Sequence, residues 1–129
     1  MNPVVHFEMP TKDQKRVTEF YTKVFGWQMQ MMGADMGNYV LANTTETKDM
    51  RPTTPGAING GFFPFDPKKP GQTVPSVVIA VDDIKAHMKK VAAAGGNVEG
   101  EPINIPGVGM YVSFVDTEGN RVSMLQPHR

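Results

Sequence analysis

The chain has 129 residues, and its 13 Lys and Arg residues balance its 13 Asp and Glu residues. That length suits one domain, or two small modules sharing one core, and the balanced charge argues against a nucleic-acid-binding surface. The absence of cysteine excludes disulfides, thiol nucleophiles and thiolate zinc sites. The longest aliphatic run, 77–81, is far shorter than the ~20 residues that span a bilayer. No signal segment is visible at the N-terminus, so we expect a cytoplasmic protein that contacts no membrane.

The first half of the chain predicts a strand, a helix and three further strands. Residues 4–9 alternate in character and end at Pro10, which is typical of a strand. Apolar residues recur at helical spacing from Asp13 to Phe25, Thr11 is a candidate cap, and Gly26 supplies the stop. Three more strands are predicted at 27–31, 38–42 and 58–63, with a polar loop at 43–56.

The second half repeats this order of elements. A linker with four prolines at 64–75 is followed by a strand at 76–81 and a helix from Asp82 or Asp83 to about Ala94. Short strands are predicted at 97–99, 110–115 and 121–126, with a loop at 100–109 and a turn at 116–120. The pattern therefore predicts two βαβββ modules in one 129-residue domain, module one at about 3–63 and module two at about 76–127.

Strand alternation predicts which side chains share a face. In the first strand Val5, Phe7 and Met9 should pack under the helix, which leaves His6 and Glu8 on the opposite face. The second module has Val77, Ile79 and Val81 on the helix side and Ser76, Val78 and Ala80 on the other. In the last strand, Val122, Met124 and Gln126 share one face, and Arg121, Ser123 and Leu125 share the other. A few polar groups converging among apolar residues predict a pocket.

Three stretches carry a resemblance to a known family: 20–27, at the end of the first helix, 78–84, at a strand-to-helix junction, and 116–120, at the last turn. Their order and spacing resemble the vicinal oxygen chelate superfamily, which includes glyoxalase I, bleomycin-resistance proteins and extradiol dioxygenases. The resemblance implies an α+β fold in which two βαβββ modules form a curved, cup-like open barrel, and a homodimer is plausible. It also implies four metal-ligand positions, which fall at His6, Asn59, Ser76 and Ser123.

Three of those four positions depart from the family's imidazole and carboxylate ligands. Neutral Asn and Ser oxygens are weak donors for transition metals, so we expect no metal or other cofactor, with His6 as the one candidate ligand. We expect a small, largely apolar molecule to bind in the cup. The expected pocket residues are His6, Glu8, Asn59, Ser76, Val78, Ser123 and Gln126. Two alternatives stay open: a metal-dependent lyase or isomerase that uses His6, and an interaction module without a ligand.

Overall fold

The computed structural model describes residues 1–69 and 71–128, and the chain divides into two compact units. The first unit is His6–Pro75, and the second combines residues 1–5 with the residues from Ser76 onward. Within the predicted linker at 64–75, Pro70 lies outside the described residues.

The first unit contains an α-helix, a short 3-10 helix at Ala34–Met36, a four-stranded sheet and a small two-stranded sheet. Its elements are β1 (Val4–Thr11, of which the first two residues belong to the second unit), α1 (Gln14–Phe25), β2 (Gln28–Met31), β3 (Val40–Asn43), β4 (Thr47–Lys48), β5 (Arg51–Pro52) and β6 (Asn59–Pro64). The strand order is β2-β3-β6-β1, and β1 and β6 run parallel. The segment predicted as a loop at 43–56 contains the small hairpin β4–β5.

Helix α1 begins and ends with side-chain and backbone caps. Asp13, not Thr11, is the N-cap: its Oδ1 accepts a hydrogen bond from the Arg16 amide at 3.0 Å. Thr11 is instead the last residue of β1. At the other end Gly26 adopts φ +70°, and its amide donates to the Thr22 carbonyl at 3.1 Å. The core of the unit is formed by buried Val40, Ala42 and Phe62, surrounded by Phe7, Met9, Val17, Tyr21, Trp27 and Met29.

The second unit repeats the arrangement of strand, helix and three strands. Its elements are β7 (Ser76–Ala80), α2 (Ile84–Ala93), β8 (Asn97–Ile105), β9 (Gly109–Val115) and β10 (Arg121–Pro127). The strand order is β7-β10-β9-β8, with β7 and β10 parallel. Asp83 caps α2 by accepting from the Ala86 amide at 3.1 Å. The core consists of Val81, Ile84, Val112 and Met124.

The prediction of a loop over 100–109 is wrong for most of that segment. Strand β8 continues to Ile105, and its pairing with β9 shifts register between Glu99 and Ile103. Gly100, at φ +82°, lies within this shift. Because glycine adopts this conformation without strain, the strand accommodates a bulge and then resumes its pairing.

Among residues 1–69 and 71–128, no helix is long and apolar enough to cross a bilayer.

Candidate functional site

A chain of hydrogen bonds joins three polar side chains in the first unit. The Tyr39 hydroxyl donates to Oε2 of Glu8 at 3.0 Å and lies 2.9 Å from Nε2 of His6. Glu8 is buried and His6 is largely buried. His6 and Glu8 are two residues apart on β1, so they share a face as strand alternation predicts. Tyr39, which precedes β3, comes from more than 30 residues further along the chain.

A glycine makes room for the tyrosine. Gly61 on β6 pairs with Glu8 on β1. A Cβ atom at Gly61 would overlap the ring and hydroxyl of Tyr39. The absence of a side chain there therefore lets the Tyr39 ring lie across β6 and reach the residues on β1. The neighbouring Gly60 faces the other way, where a Cβ would overlap the ring of Phe7.

The hydrogen bonds determine which nitrogen of His6 carries the proton. Because the single hydroxyl proton of Tyr39 goes to Glu8, the hydroxyl oxygen accepts from His6, and Nε2 is the protonated nitrogen. Nδ1 then holds a lone pair, and no described residue donates to it. Burial lowers the pKa of His6 below its ordinary value of 6.5, and the nearby Glu8 carboxylate offsets part of this effect. The ring is therefore neutral at pH 7.

This lowered pKa predicts a loss of stability in acid. As the pH falls below about 6.5, the unfolded chain binds a proton at His6 before the folded chain does, so the free energy of unfolding decreases. One proton contributes a slope of up to about 1.4 kcal/mol per pH unit within this window. Urea unfolding of the wild type and of His6→Gln between pH 5 and 8 would measure the difference. His87→Gln, on α2, is the matched control. Equal slopes in wild type and His6→Gln would contradict the prediction.

Asn59 lies on the same face as His6, with which it pairs in the parallel register. Its Oδ1 accepts from the Thr44 amide at 2.9 Å, and its Nδ2 donates to the Thr47 hydroxyl at 2.8 Å. Both ends of the side chain are thus used to hold the segment that begins after β3. The structure therefore places Asn59 beside the chain of hydrogen bonds and gives it a role in fixing this segment.

In the second unit, Ser123 is fully buried and lies in its own hydrogen-bond network. Its Oγ is 2.7 Å from the Tyr111 hydroxyl and 2.9 Å from Oγ of Ser113. Val78 pairs with Ser123 and is also buried, and Ser76 begins β7 two residues earlier. These three predicted residues therefore belong to the second unit, and His6, Glu8 and Asn59 belong to the first.

Gln126, a predicted pocket residue, makes its hydrogen bond to a helix. Its Oε1 accepts from the Ile84 amide at 2.9 Å, which caps the first turn of α2. Ile84 and the neighbouring Met124 belong to the core of the second unit. The side chain of Gln126 therefore lies on the face of the sheet that packs against α2.

The two tyrosines are the residues that sequence reasoning missed. Tyr39, just before β3, lies over Gly61 on β6, and Tyr111 on β9 contacts Ser123 on β10, so in each unit a tyrosine on or next to the third strand reaches a small residue on the last strand. An alignment of the two modules by strand register could have detected this correspondence. Sequence identity between the modules could not have detected it, because the small residue is Gly61 in one module and Ser123 in the other.

The donor groups at the implied metal positions do not fit a transition-metal ion. Both polar atoms of Asn59 are committed to the 44–47 segment, and Ser123 is bonded to two hydroxyls, so Nδ1 of His6 is the one imidazole lone pair at these positions. Over residues 1–69 and 71–128 there is no group of three or more His, Cys, Asp or Glu side chains placed to hold a metal. Neutral amide and hydroxyl oxygens do not replace such ligands.

Known proteins resemble the chain in sequence and in fold. The family model described as Glyoxalase/Bleomycin resistance protein/Dioxygenase superfamily matches residues 4–124. CFP32 of Mycobacterium bovis, named as a glyoxylase, is 45% identical over 66 residues, which cover 49% of this chain and 24% of CFP32. A protein of Vibrio parahaemolyticus named as a lactoylglutathione lyase is 28% identical over 138 residues, covering 95% of this chain and 89% of that protein.

Among solved structures, methylmalonyl-CoA epimerase from Mycobacterium tuberculosis superposes with a TM-score of 0.69 at 14% identity. The superposition covers 98% of this chain and 88% of the epimerase. At this identity the likeness concerns the fold alone, and it confirms the predicted α+β class. The chain spans only about a quarter of the length of CFP32.

Proposed function

The chain belongs to the Glyoxalase/Bleomycin resistance protein/Dioxygenase superfamily, and we propose that its first unit binds a small, largely apolar molecule on the sheet face of His6. We propose further that this binding uses no resident metal ion. The observation that carries the proposal is the arrangement around His6, in which Tyr39 fixes the ring and leaves Nδ1 as a hydrogen-bond acceptor.

Apolar residues share this face with the polar side chains of His6, Glu8 and Asn59. Gly61 pairs with Glu8, and Phe63 follows two residues later on β6, so both belong to the same face. Leu41 pairs with Gly61 from the other side, and the ring of Tyr39 covers that glycine. A few fixed polar groups among apolar and aromatic side chains are typical of a small-molecule site.

The acceptor at Nδ1 selects the chemistry of the ligand. A neutral imidazole whose Nε2 proton is already donated can only accept at its second nitrogen. The favoured ligand therefore offers a hydroxyl or N–H group on an apolar body. A relative that matches most of this chain is named as a lactoylglutathione lyase, a name that refers to a small molecule, and this supports a small-molecule ligand.

Metal-free binding is supported by the commitments of the implied ligands. Recruiting Asn59 as a ligand would release the 44–47 segment, which its side chain holds through two hydrogen bonds. Each lost bond leaves a buried polar group unsatisfied, at a cost of about 1–3 kcal/mol.

A pair of matched probes tests the proposal. We expect 2-naphthol to bind more tightly than 2-methoxynaphthalene, by about fivefold, because only the phenol donates a hydrogen bond to Nδ1 and such a bond contributes about 1 kcal/mol. Isothermal titration calorimetry at pH 7.5 measures both affinities. His6→Phe keeps an aromatic ring but removes the acceptor, so the preference for the phenol should disappear in this variant.

Two outcomes would contradict the proposal. Equal affinities for the two probes in the wild type, or a preference that persists in His6→Phe, would show that Nδ1 does not bind the ligand.

Elemental analysis supplies the second test: near-stoichiometric divalent metal that is lost in His6→Ala would support the metal-dependent lyase or isomerase alternative instead. Failure of both naphthalenes to bind would favour the interaction module. His87→Phe, with the same change at α2, controls for the loss of a histidine.

A further inference from the structure

We propose that the first unit carries a second binding site, a groove for amphipathic aromatic anions at the end of β1 and the start of α1. The groove has a volume of about 460 Å³, which lies within the range of small-molecule sites. Its apolar wall is formed by Pro10, Val17, Phe20 and Phe65. None of these residues takes part in the hydrogen-bond chain of His6, so the groove is a separate feature of the unit.

Aromatic side chains make the groove suitable for a flat ring. Phe20 is 53% exposed, although a phenyl ring of its size is usually covered by the core of a folded domain. It comes from α1, and Phe65 comes from the segment after β6. Val17, one helical turn before Phe20, is partly buried and continues the apolar surface toward the core. An aromatic ligand lying against these side chains would remove apolar surface from water.

Two cations determine the charge of the occupant. Lys12 and Arg16 both line the groove, and no acidic residue does. Nζ of Lys12 lies over the Phe65 ring, 4.6 Å from its centre, so the ammonium group is held against the aromatic wall. Arg16 has no ion pair in the part of the chain that the structure describes. The Asp13 carboxylate accepts a hydrogen bond from the backbone amide of Arg16.

The combination defines a class of ligand: an aromatic body with one carboxylate or sulfonate group. The planar guanidinium of an arginine binds such a group through two parallel hydrogen bonds, and the lysine adds a second positive charge. A neutral aromatic molecule would contact the apolar wall but would gain no electrostatic stabilisation from Lys12 and Arg16. A small inorganic anion would use the cations and gain nothing from the wall.

Two fluorescent probes that differ in charge test this site. The anion 1-anilino-8-naphthalenesulfonate and the neutral N-phenyl-1-naphthylamine share the same ring system. We expect the wild type to bind the sulfonate at least tenfold more tightly. In Arg16→Gln the affinity for the sulfonate should fall about tenfold, with the neutral probe unchanged, and in Phe20→Ala the affinities for both probes should fall. Lys23→Gln removes a positive charge from the other end of α1 and should change neither affinity.

The outcomes separate this site from the one at His6. Binding of the sulfonate that is unchanged in both Arg16→Gln and Phe20→Ala would overturn the proposal. So would binding that is abolished in His6→Phe, because the probe would then occupy the His6 face. If sedimentation shows a dimer that Phe20→Ala converts to a monomer, with no sulfonate bound by the wild type, a second copy of the chain covers the groove and the proposal fails. If the sulfonate binds in the groove as expected while the naphthol test fails, the proposal for the groove stands and the one for the His6 face does not.

Discussion

Replacement of Phe62 by alanine should destabilise the chain by about 3–5 kcal/mol, the cost of removing a phenyl ring from a packed core. Phe62 is 2% exposed. Its side chain packs with Val40 and Ala42 in the core of the first unit, and its ring lies 5.2 Å from that of Tyr21. The cavity left by the ring would be lined by side chains from both α1 and the sheet, which cannot collapse together without moving the helix.

Urea unfolding followed by tryptophan fluorescence measures this loss, since Trp27 belongs to the same cluster. Phe20→Ala removes the same number of atoms from a side chain that is 53% exposed, so it should cost less than about 1 kcal/mol. Similar losses in the two variants would show that Phe62 does not contribute to the core as the structure indicates.

Replacement of Gly109 by alanine should destabilise the second unit by about 3 kcal/mol, at the upper end of the costs of overpacking. Gly109 begins β9 and pairs with Pro127 at the end of β10. A Cβ atom there would overlap the Gln126 carbonyl group and lie 2.9 Å from Cα of Pro127. Because these are backbone atoms, no side-chain rotation relieves the contact, and the end of β10 must move away.

Gly107→Ala is the matched control for this variant. Gly107 has φ +76°, and a Cβ atom there would meet nothing within 4 Å. Its replacement should therefore cost only the strain of a left-handed conformation, about 1–2 kcal/mol. Thermal unfolding of both variants would separate the two effects. A loss at Gly109 no larger than that at Gly107 would exclude the backbone contact as the cause.

Local patterns predicted most of the secondary structure because they depend on nearby residues. Helical spacing located α1, and strand alternation placed His6 and Glu8 on one face, where both now bond to Tyr39. Alternation also grouped Gln126 with Met124, and the structure places both on the helix side of β10.

Features that depend on distant residues could not be predicted in the same way. The position of Tyr39 depends on space left by Gly61, which lies 22 residues later in a predicted strand, where the local pattern does not show which side chain covers it. The continuation of β8 beyond Gly100 was hidden because Gly100 and Pro102 are typical of loops, and only the pairing with β9 reveals the strand. Asp13 and Thr11 are both good caps by composition, and the end of β1 decides between them.

The bond between Gln126 and Ile84 has a consequence for the order of folding. Besides its local cap at Asp83, the first turn of α2 has its Ile84 amide satisfied by a residue 42 positions later in the chain. During synthesis the helix therefore emerges well before the residue that completes its N-terminal turn. Contacts between residues so far apart in sequence form late, because the intervening chain must first lose its freedom. Pairing of the last strand thus supplies a late acceptor for the Ile84 amide, in a helix whose first turn is already capped locally by Asp83.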